Sequence, residues 1–525
     1  MGRRSAIICM VIIILFVAGI TRQGFSAAST LKNNAYPILS DKEIGHVRWV
    51  VKLAQQPSGD WSYMGGEEEG QEWMEAYRYQ LAFMTYALAL AQYHKTPAYR
   101  ELYQQAMDRL IQKMTRRDVW GFWFESSKGG KKLNPALKEK GPGWVDPVAD
   151  KNIMYSGHLL HMVELYQMLY RDKKYEKPGS LVFTWEWIKE PLNKFEYDSG
   201  KLASIIYKQF KDNPWHSIEC EVNAIFSQCN QHPVLGLMLH DHNHGTNLAN
   251  VKDLVKKAFL DKKFLNPDTH NFMYFYMLQQ DKVIPAASPS SDGWTGAFMH
   301  AWDPKLIEEH YPHQVKQHIK WQPDGTASAP DKTWGSIGAP HFALLAKEVG
   351  DEKTANGILA WMDKNWAPVW SDGIFRYPRN DEKKVTPLVT ILAAGAELNV
   401  KNGIWALHNE PWKDDHFKDP FVSSVEYPKA VVKQAYYDKT KDLLVVTLMP
   451  GTKDTGNTSF VVNQLDNAKP YSIHKNGRLL GYVKNGVLQT QKGIKDLESK
   501  GEGKVGISTD LKRTYTFEIR GGKQS

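Results

Sequence analysis

The residues of this chain that could do chemistry as a pair are two cysteines, Cys220 and Cys229, which stand nine residues apart. The third cysteine, Cys9, lies in an apolar stretch near the N-terminus. The nine-residue spacing does not fit a zinc site, because zinc-binding cysteines usually stand two to four residues apart and are joined by histidines. Two interpretations stay open: a structural disulfide, as exported proteins form, or two thiols that face one pocket.

A second candidate lies upstream, in the segment from Asn152 to Leu159. Its pattern is helical, and Met154 and His158 are four residues apart, so their side chains share one face of the helix. A single histidine on an apolar helix is more often a buried structural residue than a functional one. We therefore consider His158 a site residue only together with the cysteines.

The elements that must position these residues are helices, which amphipathic periodicity predicts over most of residues 40–410. One runs from Glu72 to Tyr93, and another follows Thr96-Pro97. Further helices are predicted near residues 152–170, 225–240, 248–259, 294–300, 340–349 and 354–366. Paired helices joined by aromatic loops predict a helical toroid, an (α/α)6 barrel, over residues 40–412.

After Pro420 the apolar period changes from 3.6 to 2, which predicts strands. They cover Ala430–Tyr437, Leu443–Met449, Ser459–Leu465, Tyr471–His474, Leu479–Val483 and Tyr515–Ile519. Asn476-Gly477 and Asn485-Gly486 are typical of two-residue hairpin turns, because both residue types tolerate positive φ. Residues 425–525 are thus predicted to form a small antiparallel, β-sandwich-like domain, and the whole chain is an α+β multidomain protein.

The N-terminus has the pattern of an export signal. Arg3 and Arg4 precede an apolar run from Ala6 to Ile20, and Ser26-Ala27-Ala28 supplies small residues for cleavage. The run is shorter than the roughly 20 residues that span a bilayer. We predict a signal peptide over residues 1–28 and an exported protein, periplasmic or secreted. A membrane anchor made by an uncleaved signal is the alternative.

Charge excludes one class of function. The net charge of the chain is +8. Most of it lies in residues 421–525, which hold 17 lysines and arginines against 10 acidic residues. The helical part is therefore almost neutral, and nucleic-acid binding has no electrostatic support. An apolar content of 42% and an aromatic content of 12% are typical of a globular protein with a large core.

Taken together, the motifs resemble the linalool dehydratase/isomerase family. The segment from Asp146-Pro147 to Leu159 and the pair Cys220 and Cys229 carry the resemblance, and it extends to Arg117–Gly121 and to Gly293-Trp294-Thr295. It covers roughly residues 45–400. The resemblance implies an exported α/α barrel that assembles into rings, uses no cofactor and interconverts a tertiary allylic alcohol, its primary isomer and a diene.

The residue types suit that reaction. Breaking an allylic C–O bond needs a proton for the leaving hydroxyl, and forming the diene needs a base for a carbon-bound proton. Cys220 and Cys229 can share these tasks if their pKa values are pushed apart. The resemblance implies that His158 holds the substrate hydroxyl.

The resemblance also implies the walls of the site. They would bind a small hydrophobic alcohol, with an aromatic face for an allylic cation and one carboxylate beside the first thiol. The residues concerned are Met154, Phe226, Trp294 and Glu221.

One part departs from the family pattern. The family has an Asp and a Tyr near its N-terminus that reach the pocket of the neighbouring subunit, followed by a cysteine. Here Asp60-Trp61-Ser62-Tyr63 is the counterpart, with shorter spacing and no cysteine after it. We still predict Asp60 and Tyr63 as catalytic residues, within a cyclic homo-oligomer whose active sites lie at subunit interfaces. The departure makes a larger or more polar terpenoid alcohol as good a substrate as linalool.

Two rival functions stay open. An α/α-barrel glycosidase or polysaccharide lyase would use a pair of carboxylates, and candidates are Asp60, Glu125, Asp146 and Asp292. A non-catalytic binding protein would close Cys220 and Cys229 into a disulfide. The state of the two cysteines separates these possibilities from a thiol enzyme.

Overall fold

In the computed structural model, residues 35–65, 75–186 and 193–522 can be described. The predicted leader, residues 1–28, lies outside them. Within the described residues, no helix has both the length and the apolar character needed to cross a bilayer.

The described residues between 41 and 409 are mainly helical. The helices are α1 (Asp41–Gln55), α2 (Tyr77–Lys95), α3 (Glu101–Met114), α4 (Arg117–Trp120), α5 (Trp123–Ser126), α6 (Ile153–Tyr170), α7 (Ser199–Asp212), α8 (Gln231–His244), α9 (Val251–Asp261), α10 (Pro289–Met299), α11 (Pro304–His318), α12 (Gly338–Val349), α13 (Glu352–Trp366), α14 (Pro387–Leu398) and α15 (Gly403–Asn409).

Short antiparallel hairpins and strands connect some of these helices. They are β1 (Leu181–Trp185), β2 (Asn193–Tyr197), β3 (Ala224–Ile225), β4 (Phe275–Met277), β5 (Lys282–Ile284), β6 (Lys320–Trp321), β7 (Ala327–Ser328), β8 (Val369–Ser371) and β9 (Ile374–Arg376). Of these, β3, β4 and β5 form a three-stranded sheet.

Six helices pack side by side in a closed cycle: α2 against α6, α6 against α8, α8 against α10, α10 against α12, α12 against α14, and α14 against α2. Other helices pack on the outside of this cycle: α1 and α3 on α2, α7 on α6 and α8, α11 on α10, and α13 on α12. The short helix α15 contacts α2, α8, α10 and α12 of the cycle itself. The sequence explains why some helices form the inner cycle and others pack on its outside. Nearly every residue of α6 is buried, whereas α3 and α7 bury one face, as a helix on the surface does.

The last part of the chain forms two antiparallel sheets. Their strands are β10 (Phe421–Ser423), β11 (Ala430–Asp438), β12 (Leu443–Pro450), β13 (Asn457–Asn463), β14 (Tyr471–Lys475), β15 (Arg478–Lys484), β16 (Val487–Thr490), β17 (Leu497–Ser499), β18 (Val505–Asp510) and β19 (Tyr515–Gly521). One sheet has the order β11-β12-β19-β14-β15-β16 and the other β10-β13-β18-β17. Phe460 and Phe517 join their inner faces, with ring centroids 5.0 Å apart.

Both β sheets contact the helical part. In the four-stranded sheet, the backbone amide of Val422 on β10 donates to the Ala98 carbonyl at 2.8 Å. β11 is an edge strand, and the backbone amides of Leu39 and Ala98 donate to its carbonyls at Lys433 and Ala435, at 2.9 and 3.0 Å. Ala98 follows the C-terminal end of α2. The sheets therefore sit at the end of the helical part where α2 finishes.

The six predicted strands are confirmed within a few residues, and both hairpin turns have the predicted conformation. Asn476 and Gly477 have φ of +48° and +78°, and Asn485 and Gly486 have φ of +50° and +73°. The predicted helix over residues 225–240 starts too early, because Ile225 belongs to β3 and α8 begins at Gln231. The sequence patterns missed α7, α11 and α14 and the strands β10 and β16–β18.

Candidate active site

A pocket of about 290 Å³ opens where α2 and α6 begin. Its lining is mixed, with apolar rings and a thioether beside charged groups. The residues that matter here are Arg78, Phe122, Met154, Glu221, Phe226 and Tyr274. Three of the four residues predicted to bind substrate, Met154, Glu221 and Phe226, therefore line one pocket. The fourth, Trp294, and the catalytic candidates Cys220, Cys229 and His158 are not among its described lining residues.

A tight reversal of the chain brings the two cysteines together. The Cys220 amide donates to the Ala224 carbonyl at 2.9 Å, and Asn223 takes a φ of +75°. The Asn223 amide group holds this turn by donating to the Leu133 carbonyl at 2.8 Å. β3 then pairs with β4, and the chain returns to Cys229 just before α8. Both thiols are buried and reduced, and they hydrogen-bond to each other, so the disulfide interpretation is wrong.

The environment keeps the Cys220 thiol protonated. Burial raises its pKa well above the usual range for a cysteine, and the hydrogen bond with Cys229 and the nearby charge of Glu221 raise it further. Burial also raises the pKa of Tyr79, with both cysteines adding to the shift, so Tyr79 lies beside the pair. Cys220 is thus placed as a neutral acid.

His158 lies on α6, fully buried, as an uncharged imidazole. Its Nδ1 is 2.8 Å from the Tyr86 hydroxyl, whereas its Nε2 is buried without a hydrogen-bond partner in the described residues. Burial lowers the pKa of His158 to about 3, helped by the positive charge of Arg78. A buried ring nitrogen without a partner is costly unless a ligand satisfies it, so Nε2 is suited to a substrate hydroxyl.

Aromatic rings surround this imidazole. Trp294 lies 6.0 Å from His158 between ring centroids, and Tyr79 contacts both rings edge-on at 5.6 Å. Gly293 makes this position possible, because a Cβ there would lie 2.5 Å from the His341 carbonyl carbon. α10 can therefore approach α12 closely, and Trp294 stacks on His341 at 5.2 Å.

A chain of hydrogen bonds runs from Trp294 through three histidines. The indole Nε1 donates to His232 Nε2 at 2.7 Å. The Nδ1 atom of His232 is 3.4 Å from the Nδ1 atom of His161, and His161 Nε2 is 2.8 Å from His408 Nε2. His408 Nδ1 ends the chain at the Ile404 carbonyl, at 2.7 Å. Since an indole only donates and a carbonyl only accepts, every tautomer follows from the two ends.

Sequence reasoning predicted Trp294 and His158 but missed the residues around them, which are Tyr79, Phe83, Tyr86, His161, His232 and His408. Tyr79, Phe83 and Tyr86 are spaced three and four apart on α2, and His158 and His161 are three apart on α6. That spacing places each set on one helix face, and this was the available indication. His232 and His408 come from other helices, and no local pattern connects them to the site.

Asp60 and Tyr63 lie in a loop after α1 and do not line the pocket within the described residues. The side chain of Tyr63 is exposed, at 55%, and φ is +68°. Asp60 accepts hydrogen bonds from the Ser62 amide at 2.9 Å and its hydroxyl at 2.6 Å, and these lower its pKa. Their predicted role in a neighbouring subunit stays a prediction.

The carboxylates of the rival glycosidase hypothesis do not pair with one another among the described residues. Asp292 is fully buried and accepts from Asn271, the Phe272 amide and His318, all within 2.7 Å. Asp146 accepts from the Tyr197 hydroxyl at 2.6 Å, and Glu125 pairs with Lys128 at 2.5 Å. Each of these three carboxylates has hydrogen-bond or ion-pair partners of its own.

The chain matches the model of a known family. Residues 78–383 match the model of the linalool dehydratase/isomerase family, a stretch that is more than half of the chain. The stretch includes α2, α6, α8 and α10, and hence the two thiols, His158 and Trp294.

Solved structures show a weaker likeness. An alpha-1,6-mannanase from Salegentibacter sp. HEL1_6 is similar over 70% of this chain and 99% of its own, with 10% identity and a TM-score of 0.41. An alpha-amylase from Clostridium perfringens matches 68% of this chain and 97% of its own, with 10% identity and a TM-score of 0.42. An unsaturated glucuronyl hydrolase from Bacillus sp. GL1 matches 69% of this chain and 96% of its own, with 10% identity and a TM-score of 0.41. Likeness at this level carries no inference about activity.

Proposed function

Because the chain belongs to the linalool dehydratase/isomerase family, we propose that it is a cofactor-free dehydratase and isomerase of a terpenoid-type allylic alcohol. The observation that carries the proposal is the reduced, hydrogen-bonded pair Cys220 and Cys229, buried close to a pocket whose lining is partly apolar and partly charged. Family membership supports a lyase or isomerase, and the thiol chemistry is our assignment.

The reaction begins when the substrate hydroxyl binds His158 Nε2, the buried nitrogen that has no hydrogen-bond partner in the described part of the chain. With the Tyr86 hydroxyl donating to Nδ1, Nε2 carries the imidazole proton and donates to the substrate oxygen. A neutral histidine suits this task, since a charged one would oppose the cation that forms later.

Cys220 then gives its thiol proton to the leaving hydroxyl. The C–O bond breaks, water leaves with that proton, and the substrate becomes an allylic cation beside the aromatic faces of Tyr79 and Trp294. A thiolate is left in the pair. Forming two charges in a buried site is costly. The thiolate and the cation lie in the same site, and their mutual attraction, which is stronger at low dielectric constant, offsets part of that cost.

The thiolate pair completes the cycle by taking a proton from the carbon next to the cation, which gives the diene. Cys220 and Cys229 share a hydrogen bond, so the pair regains the one proton it gave, whichever sulfur accepts it. In isomerisation, water adds instead to the other end of the allylic system and returns its proton to the pair. Protons balance in both outcomes.

The pocket favours an alcohol more polar than linalool. Beside Met154 and Phe226 it is lined by Arg78, Glu221 and Lys132, which are charged. Its volume of about 290 Å³ is near the lower limit of roughly 300–1,000 Å³ for small-ligand sites. We therefore propose a compact terpenoid alcohol that carries a second polar group.

We also propose that the closed cycle of α2, α6, α8, α10, α12 and α14, with its outer helices, is an (α/α)6 barrel. The protein would be exported and would assemble as a ring, with Asp60 and Tyr63 completing the pocket of the next subunit. The exposure of Tyr63 supports this assignment, because a residue that reaches another subunit must be accessible in its own. The β sheets lie at the end where α2 finishes and leave the Asp60 loop accessible to a neighbour.

Product analysis tests the proposal. The reduced protein is incubated with a set of tertiary and primary allylic terpene alcohols, some carrying a second hydroxyl or a carboxyl group, and volatile products are identified. We expect a diene or the isomeric alcohol from at least one of them, and no product after both thiols are alkylated. Cleavage of a polysaccharide by the protein, with no change in any alcohol, would overturn the proposal.

A further inference from the structure

A second cluster of reactive side chains lies on the two helices that carry the thiol site. Glu164 is on α6, six residues beyond His158, and His240 and His244 stand one turn apart on α8. None of the three lines the pocket described above. Two histidines four residues apart on one helix, facing a carboxylate from its neighbour, are a common set of metal ligands.

The distances suit a small divalent cation. Glu164 Oε1 is 2.8 Å from His240 Nδ1, Glu164 Oε2 is 3.6 Å from His244 Nε2, and one atom of each residue lies within 4.8 Å of the others. Zinc bonds of 2.0–2.1 Å in a tetrahedral site place two ligand atoms about 3.4 Å apart. The two measured distances lie on either side of that value. We propose that Glu164, His240 and His244 bind a zinc ion.

Neighbouring groups hold these ligands as the outer shell of a metal site does. The Asn243 amide group donates to Glu164 Oε2 at 2.8 Å and to the Glu164 carbonyl at 3.0 Å. The second nitrogen of His244, Nδ1, lies 3.9 Å from Glu176 Oε1. A carboxylate near the free nitrogen of a ligand histidine fixes its tautomer and strengthens it as a ligand.

Charge and access favour a cation at this place. Glu164 is completely buried, and a buried carboxylate needs a positive partner. His244 is 21% exposed at its side chain, so an ion can enter from the surface. Two imidazoles and one carboxylate leave a fourth position for water. The ion would join α6 to α8, which are neighbours in the inner cycle, and act as a structural clamp.

The competing explanation is an ion pair without metal. Hydrogen bonding to Glu164 raises the pKa of His244, and a protonated His244 would neutralise the carboxylate. This explanation leaves no need for His240 as a second imidazole next to the same group. It also predicts that zinc binds no more tightly here than to other surface histidines.

Equilibrium dialysis of the metal-stripped full chain against zinc separates the two explanations. We expect one zinc per chain in the wild type, and an affinity at least tenfold weaker in His240→Ala/His244→Ala. His242→Ala is the matched control: it lies on the same helix, and its Nε2 faces the Trp412 carbonyl at 3.3 Å, so it should bind zinc as the wild type does. If the double variant does not fold, the partly exposed His244→Gln replaces it.

Cys220 and Cys229 are a second possible zinc site, so cobalt(II) is used to tell them apart. We expect a cobalt complex without the intense thiolate-to-cobalt absorption, unchanged in Cys220→Ser/Cys229→Ser. Zinc should also raise the midpoint of thermal unfolding in the wild type and in the thiol variant alike. Equal zinc affinity in the wild type and the histidine variants, or no zinc bound at millimolar concentration, would overturn the proposal. Neither result depends on activity toward an alcohol.

Discussion

The thiol centre and the Asp60–Tyr63 loop carry the two parts of the predicted active site, and they lie in opposite environments. Cys220, Cys229 and His158 are each at most 3% exposed, whereas Tyr63 is 55% exposed. Burial sets the pKa values of Cys220 and His158, while local hydrogen bonds from Ser62 lower the pKa of Asp60.

The difference shows which parts of a site one chain can complete alone. Desolvation makes a thiol a weaker acid and keeps an imidazole neutral. The core of a single chain is enough to desolvate both groups. An exposed carboxylate and phenol gain a desolvated environment only when another surface covers them. The thiol centre should therefore depend on its own residues, and the loop on assembly.

The strongest test of the buried part is Cys220→Ser. A serine hydroxyl is a far weaker acid than a thiol, so we expect kcat to fall by about 1,000-fold, within the range of general acid–base catalysis. Steady-state kinetics on the alcohol that the protein converts would measure this, with thermal unfolding to show that the fold persists. Ser227→Ala, a buried change in the same loop, should lower kcat by less than tenfold. An active Cys220→Ser would remove the thiol from the mechanism.

His158→Ala should lower kcat/KM by about 100-fold, because the substrate oxygen loses the group that orients it. The matched control is His46→Ala on α1, which removes an equally buried histidine whose pKa is also about 3 and which packs on Phe375. Both variants should lose stability. Equal rates in the two would show that His158 is only a packing residue.

Asp60→Asn and Tyr63→Phe should have smaller effects, roughly tenfold on kcat, and only in the assembled protein. Light scattering gives the subunit number, and activity is then followed on dilution. Asp253→Asn on α9, also an exposed carboxylate, should leave the rate unchanged. A monomer that turns over the alcohol at the full rate would remove Asp60 and Tyr63 from the site.

Acid should unfold the helical part through its buried histidines. Burial lowers the pKa of His46, His158 and His341 to about 3 and that of His408 to about 4, so the unfolded chain binds more protons than the folded one below pH 6.5. Their stabilising contribution is complete above pH 6.5 and is lost as the pH falls toward 3, by up to about 1.4 kcal/mol per pH unit for each histidine. Urea unfolding at pH 7 and pH 4.5 measures this. A free energy of unfolding that is equal at both values would contradict the buried, neutral histidines.

Sequence patterns predicted the features that depend on the spacing of neighbouring residues. The strands after Pro420, the turns at Asn476 and Asn485, and the shared face of Met154 and His158 follow from periods of 2 and 3.6 and from residues that tolerate positive φ. The family motif brought in Cys220 and Cys229, and the chain reversal at Asn223 explains how residues so spaced can meet.

Partners from distant helices could not be anticipated in this way. His232 and His408 meet His161 only because α8 and α15 approach α6, and nothing in their own segments indicates it. The start of α8 was misplaced for a similar reason. Ile225 is apolar enough to extend the helical pattern, but pairing with β4 draws it into a strand.

The hydrogen-bond chain from Trp294 to Ile404 has an electrostatic consequence for the whole molecule. Protonating any of its three histidines would set two N–H groups against each other, and burial lowers the pKa of His161 and His232 well below the usual range. The central column of the helical part is therefore polar but cannot hold a net positive charge near pH 7. In the proposed reaction, a carbocation beside Trp294 would face these uncharged rings, so the histidines of this column would not repel it.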